Sequence, residues 1–227
     1  MRRQRRASQD YRDFMLSTNP VAYWRLGEAS GSVARDEMGV YDGTYFGSPT
    51  LGVPGLLTGD GDTAVTFAAA LSQRMGVAAG GPSGTAVWSM AAWVRPSILP
   101  QAGGSLAFGG AFGGAGFGIG NGAGGSGTHL EFLTSSVVWI DGVYVFSDTT
   151  SAHFVVLLRD GSTLRAYVDA LQVATSASVP NVGNGSVDVG LFGGSQMFSG
   201  TIDEPAIWNR ALTAAEIAEM YRIGMGR

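Results

Sequence analysis

The sequence predicts an all-β fold, a sandwich of two antiparallel sheets with a short helix near each end. Three observations carry that expectation. About a dozen short apolar runs, rich in β-branched and aromatic residues, recur along the chain at spacings typical of a sandwich or barrel. The 36 glycines fall between those runs and show no collagen-like period. No long 3.6-residue pattern alternates with the runs, which argues against a parallel α/β sheet.

The elements follow in order. Residues 1–8 read as a polar arm. Tyr11, Phe14 and Met15 stand at i, i+3 and i+4 and predict a short helix over residues 9–17, which Asn19-Pro20 ends. Val21 to Leu26 is a strand with Ala22, Trp24 and Leu26 on one face. A polar, turn-rich stretch leads to Gly43–Gly47, then to short strands at Thr63–Phe67 and Gln73–Val77. Val87–Val94 sets Trp88, Met90 and Ala92 on one side and Val87, Ala91 and Trp93 on the other. Apolar residues on both sides predict a central strand buried on both faces. The glycine-dense residues 101–127 predict two strands joined by turns. His129–Leu133, Val143–Phe146, Phe154–Leu158 and Thr163–Val168 come next, the last two joined by Arg159-Asp160-Gly161-Ser162, the strongest hairpin signal in the chain. Ser186–Phe192 and Phe198–Trp208 complete the strands. Thr213-x-x-Glu216 is a capping box, and it opens a helix with Ile217, Met220 and Tyr221 on one face.

Composition narrows the function. Cysteine is absent, so disulfides and thiolate metal sites are excluded. The chain also lacks lysine, a pattern expected of codon bias. The net charge of −4 is uneven. Arg2, Arg3, Arg5, Arg6 and Arg12 gather at the start, and the remaining body is acidic, so nucleic-acid binding by the body is not expected. The basic tip suits an acidic partner or a phosphate backbone. No apolar segment follows Met1 as in a secretory signal, and no run has the ~18 apolar residues of a membrane span.

Four separated pieces resemble the laminin-G-like, concanavalin A-like jelly-roll family of lectins and glucanases. They are Pro20 to Glu28, Asp36 to Tyr45, the hairpin from His153 to Asp169, and Ile202-Asp203-Glu204 through Glu216-Ile217. Two departures touch turn geometry: Ala152 precedes His153 where the family has Trp-His, and Ala170 follows Tyr167-Val168-Asp169 where it has Gly. The resemblance implies residues 19–227 as one jelly-roll domain, with residues 1–18 as an arm and helix. The stretch from Tyr11 to Arg25 is also similar to the N-termini of virion-surface proteins of actinobacterial phages. That likeness implies a non-enzymatic capsid decoration or minor tail protein at the virion surface, with a possible role for homo-oligomers. Arg2, Arg3, Arg5, Arg6, Tyr11 and Phe14 would then anchor it to other virion proteins.

The chemistry-bearing residues are few. Glucanases of this fold place acid and nucleophile on one strand at period-two spacing. No such run occurs here, and Glu131 stands alone between Leu130 and Phe132, so catalysis is not expected. Neither His129 nor His153 sits in a metalloprotease or nucleophile-elbow motif. Glycan contact would fall to Glu131, Trp139 and Tyr144, with Phe146 and Tyr167 as further aromatic candidates. Those aromatics also suit a core. The resemblance places Asp36, Asp42 and Asp203 where such jelly rolls hold a structural calcium. The same residues suit turn formation, pairing with Arg210 or capping of a backbone group. Two alternatives therefore stand beside the virion reading: a calcium-dependent lectin, and a glycoside hydrolase.

Overall fold

A computed structural model of the chain describes residues 11–81, 86–102, 106–108, 115–121, 125–134, 138–177, 185–192 and 196–227. Two eight-stranded antiparallel sheets face each other. The first runs in the order Leu171–Ser176, Thr163–Val168, His153–Asp160, Val87–Pro96, Gly200–Trp208, Thr63–Phe67, Thr50–Pro54, and Ala22–Tyr23 adds to the closing strand. The second runs Val138–Val145, His129–Thr134, Ala115–Gly120, Leu106–Phe108, Val187–Val189, Arg74–Val77, Gly43–Phe46, Val33–Ala34. The two ends of the chain meet in the first sheet, where Ala22 pairs with Ile207 and Tyr23 with Ala206.

Val87–Pro96 is the central strand that its two-sided apolar pattern predicts. It pairs with His153–Asp160 on one side and Gly200–Trp208 on the other. Trp88, Met90, Ala92 and Val94 join the core between the sheets, together with Trp24, Phe117, Phe132 and Phe198. Ala91 and Trp93 face the opposite way, into a second apolar cluster.

That second cluster is closed by helices from both termini. Helix α1 (residues 11–17) buries Tyr11 and Met15, and α2 (Ala214–Gly224) buries Ile217 and Met220. The Trp93 indole N–H donates to Tyr11 Oη at 3.0 Å, and that of Trp208 to Thr18 Oγ1 at 2.9 Å. Buried indoles need such a partner. Arg210 also donates to the Thr18 carbonyl at 2.9 Å. The expected division between residues 18 and 19 therefore cuts through a packed layer. Gly224 is required by this packing, because a Cβ there would lie 2.3 Å from the Trp93 ring. The capping box forms as read: Thr213 accepts from the Glu216 amide, and Glu216 accepts from the Thr213 amide.

The departure at Ala170 has a measurable consequence. Asp169 (φ 51°) and Ala170 (φ 67°) form the two-residue turn between Thr163–Val168 and Leu171–Ser176. Such a turn wants positive φ at both positions, which Asp tolerates and Ala does not. Ala170→Gly is expected to stabilise the fold by about 0.5–1 kcal/mol, read as a rise in the urea midpoint at unchanged slope. A fall in the midpoint would show that the methyl packing outweighs the backbone strain.

Candidate functional site

The closing strand and the opening strand build a buried charged centre. The pairing of Gly200–Trp208 with Val87–Pro96 shifts register between Asp203 and Ala206, and Glu204 takes a φ of 55°. Pro205 falls inside this bulge, where its missing N–H removes nothing from the ladder. The irregularity lets two successive acids, Asp203 and Glu204, both be buried, at 3% and 1% exposure. Arg25 reaches Glu204 at 3.0 Å, Asp60 at 3.2 Å and Asp62 at 2.8 Å. The Tyr23 hydroxyl donates to the other Glu204 oxygen. Asp203 Oδ2 accepts from the Leu56 amide at 2.8 Å, and its Oδ1 has no partner.

One guanidinium thus faces more than one buried carboxylate. Burial pushes the pKa values of Asp203 and Glu204 up; the Glu204 charge adds to this at Asp203, and at Glu204 the Asp60 charge adds to it while Arg25 and Tyr23 oppose it. Glu204 has two strong donors, Arg25 and Tyr23, and Asp203 only one, so of the two Asp203 is less stabilised as a carboxylate and holds a proton more readily. A folded-state pKa above the unfolded value stabilises the fold at low pH and withdraws that support as pH rises through it. Stability is therefore expected to fall as pH rises from the unfolded carboxylate range near about 4 through about 8, the value to which Glu204 is pushed, by up to about 1.4 kcal/mol per pH unit at the steepest point. Asp203→Asn mimics the protonated form and should flatten this slope in urea titrations at several pH values. An unchanged slope in the variant would place the proton elsewhere.

Beside this centre opens a polar cleft of about 310 Å³, lined by Arg25, Gly27, Glu28, Arg35, Glu37 and Asp62. Its carboxylates are held in place from behind. Glu28 accepts from the Arg35 amide and the Tyr45 hydroxyl, both at 2.7 Å. Asp62 accepts from the Thr63 amide at 2.9 Å, and Glu37 from Arg12 at 2.6 Å. Gly27 leaves the room Asp62 fills, since a Cβ there would lie 2.3 Å from Asp62 Oδ1. Burial pushes Asp62 up in pKa, against the pull of Arg25.

The residues singled out in the sequence are distributed otherwise. Asp36 accepts from the amides of Tyr23, Met38, Val40 and Tyr41 and so ties the opening strand to the following turn. Asp42 accepts from the Asp36 amide and from Arg35. Asp203 does not join them, and among the described residues no group of three or more His, Cys, Asp or Glu is arranged to hold a metal ion. Asp36 and Asp42 thus act in turn formation, and Asp203 caps a backbone amide. The set of three does not fit calcium in this arrangement. Arg210 pairs with Glu216, not with Asp203.

Glu131 is fully buried, its carboxylate lying where a Cβ on Gly120 would stand. That position removes it from contact with an external glycan. The register sets Asp141 opposite Glu131, a cross-strand pairing that spacing along one strand does not reveal. Trp139 lies on the same strand, opposite Leu133; its side chain falls outside the described part. Tyr144 is half-buried. Its hydroxyl lies 3.1 Å from His153 Nδ1, which also contacts Asp169 at 2.7 Å. Tyr144, Phe146 and His153 pack edge to face, and burial pushes the Tyr144 phenol up to about 12. Phe146 and Tyr167 are buried. Tyr11 is 1% exposed against Trp93, and Phe14 is partly buried on the same cluster, so these two fasten the helix to the body. Arg2, Arg3, Arg5 and Arg6 lie outside the described residues. No helix among the described residues is long and apolar enough to cross a membrane.

Two facing antiparallel sheets with a bulged closing strand define a lectin-like sandwich. A laminin G family model of the concanavalin A-like lectin/glucanases superfamily matches residues 60–218, and the chain belongs to that family. Among solved structures, domain 4 of AbnA, a GH43 extracellular arabinanase from Geobacillus stearothermophilus in complex with arabinotriose, is similar with a TM-score of 0.67 at 21% identity, covering 89% of this chain and 98% of that one. The binding domain of Paraclostridial Mosquitocidal Protein 1 is similar at a TM-score of 0.68 and 13% identity, over 91% of this chain and 52% of that one. Trypanosoma rangeli sialidase matches at a TM-score of 0.62 and 16% identity, over 88% of this chain and 32% of that one. This chain therefore spans about half of the toxin chain and about a third of the sialidase. No curated protein matches.

Proposed function

We propose that this protein is a non-enzymatic surface-binding module of a phage virion that contacts host glycans. The observation that carries the glycan part is the polar cleft of Arg25, Glu28, Arg35, Glu37 and Asp62 on a concanavalin A-like sandwich. Fixed carboxylates and guanidiniums give the acceptors and donors that sugar hydroxyls need. The solved arabinanase domain with its bound arabinotriose supports the reading, as does the toxin binding domain of the same architecture. The virion part is supported by the likeness of residues Tyr11 to Arg25 to phage surface proteins and by the arginines ahead of them.

Two experiments test these parts separately. A glycan array probed with the purified chain should return bound glycans without turnover; a blank array, or hydrolysis of a cell-wall polysaccharide that Glu131→Gln abolishes, overturns the glycan-binding, non-catalytic reading. Replacing Arg2, Arg3, Arg5 and Arg6 with Ser leaves the packed helix α1 in place. Particles assembled with that variant are expected to incorporate it poorly. Normal incorporation contradicts arm anchoring.

A further inference from the structure

Resting on the glycan-binding reading above, we infer that the Arg25–Asp62 cleft is a subsite for an uncharged sugar and excludes acidic ones. At about 310 Å³, the cleft lies at the small end of small-molecule sites, which span about 300–1,000 Å³. Three carboxylates (Glu28, Glu37, Asp62) and two guanidiniums (Arg25, Arg35) line it, so the wall is net negative. Arg25 is already committed to Asp60, Asp62 and Glu204, and Arg35 to Asp42. Each guanidinium of the lining already has a carboxylate partner, so a sugar carboxylate would have to compete with it, and like charges brought together in a cleft repel. A sialic acid is therefore disfavoured, although about a third of a sialidase chain has a similar fold.

A neutral sugar meets no such barrier. Its hydroxyls donate as well as accept, and an ionised carboxylate offers about four acceptor positions. Glu28 spends two of these on the Arg35 amide and the Tyr45 hydroxyl, and Asp62 spends its own on Thr63 and Arg25. Because the acceptors are fixed from behind, binding orders few side chains. The lining includes no aromatic residue, so the stacking contribution is missing and single-site binding is weak. A weak site of this kind acts through many copies on one surface.

The test is calorimetric titration of the full chain with arabinotriose, with a neutral gluco-oligosaccharide and with a sialylated trisaccharide, for wild type, Glu28→Gln, Glu37→Gln and Asp62→Asn. A melting curve on each variant checks folding; Glu37→Gln disturbs only the pairing with Arg12 and keeps the test valid should Asp62→Asn unfold. At least one neutral probe should bind, and each folded cleft variant should weaken it tenfold or more, while Leu171→Ser on the exposed edge strand changes nothing. Neutral-sugar binding untouched by the folded cleft variants overturns the subsite and leaves glycan binding by the protein standing. Tighter binding of the sialylated probe, lost in those variants, overturns the charge argument. Failure of all probes and of the array together removes the glycan-binding reading itself.

Discussion

Arg25→Met should cost about 3–5 kcal/mol of stability at neutral pH, the scale on which a buried ion pair is lost when one partner alone is removed. The side chain is 15% exposed and is the cation shared by Asp60, Asp62 and Glu204. Without it those carboxylates repel one another in an interior that screens them poorly. The loss has a pH signature. Asp62, Asp203 and Glu204 already have pKa values raised by burial, and removing the guanidinium raises Asp62 and Glu204 further. More protons are then held in the folded state than in the unfolded one, so the variant recovers stability on acidification and is worst at pH 8. Urea titrations at pH 5 and pH 8 read this directly. A loss below about 1 kcal/mol at both values would show Arg25 behaving as an exposed ion pair.

Truncation of residues 1–18 should be nearly as damaging, costing about 3–5 kcal/mol, a large fraction of the 5–15 kcal/mol typical of a domain. It removes the buried side chains of Tyr11 and Met15 and uncovers Trp93 and Trp208. Burying one large apolar side chain is worth about 1.5–3 kcal/mol, and two are lost before the exposed indoles are counted. Truncation of residues 1–10 alone keeps Tyr11 onward and serves as the control. Equal melting temperatures for the chain lacking residues 1–18 and the full chain would mean that α1 adds nothing to the second cluster.

The fold was largely legible because alternation is a local signal. Val87–Val94 announced two buried faces through Trp88, Met90 and Trp93, and the Asp160-Gly161 hairpin and the Thr213 capping box were both in short range. What escaped has physical causes. Thr50–Pro54 carries a glycine at φ 69° and a register shift, so it breaks the strand pattern by which strands are found. Leu171–Ser176 is an edge strand with no buried residue, and no alternation marks it. The spacing of Tyr11, Phe14 and Met15 predicts helix α1, but Tyr11 and Phe14, expected to anchor a partner, pack inward on the second cluster; an amphipathic stripe does not say which surface it covers. The site was the least legible part. Arg25 lies 179 residues from Glu204, and only the bulge at Asp203–Ala206 lets both acids be buried near it. Spacing could not distinguish an Asp36 that binds four amides from one that binds a cation. An Asp-Gly-Asp at 60–62, common as a turn, supplied two of the carboxylates around Arg25.

The proposed neutral-sugar site lies in the cleft between the opening strand and residue 62. Amide chemical-shift mapping during titration with arabinotriose or a neutral gluco-oligosaccharide addresses it most directly. The shifts are expected to concentrate at Gly27, Glu28, Arg35, Glu37 and Asp62. Shifts gathered instead around Tyr144 and His153, or on the outer face of the second sheet, would contradict it.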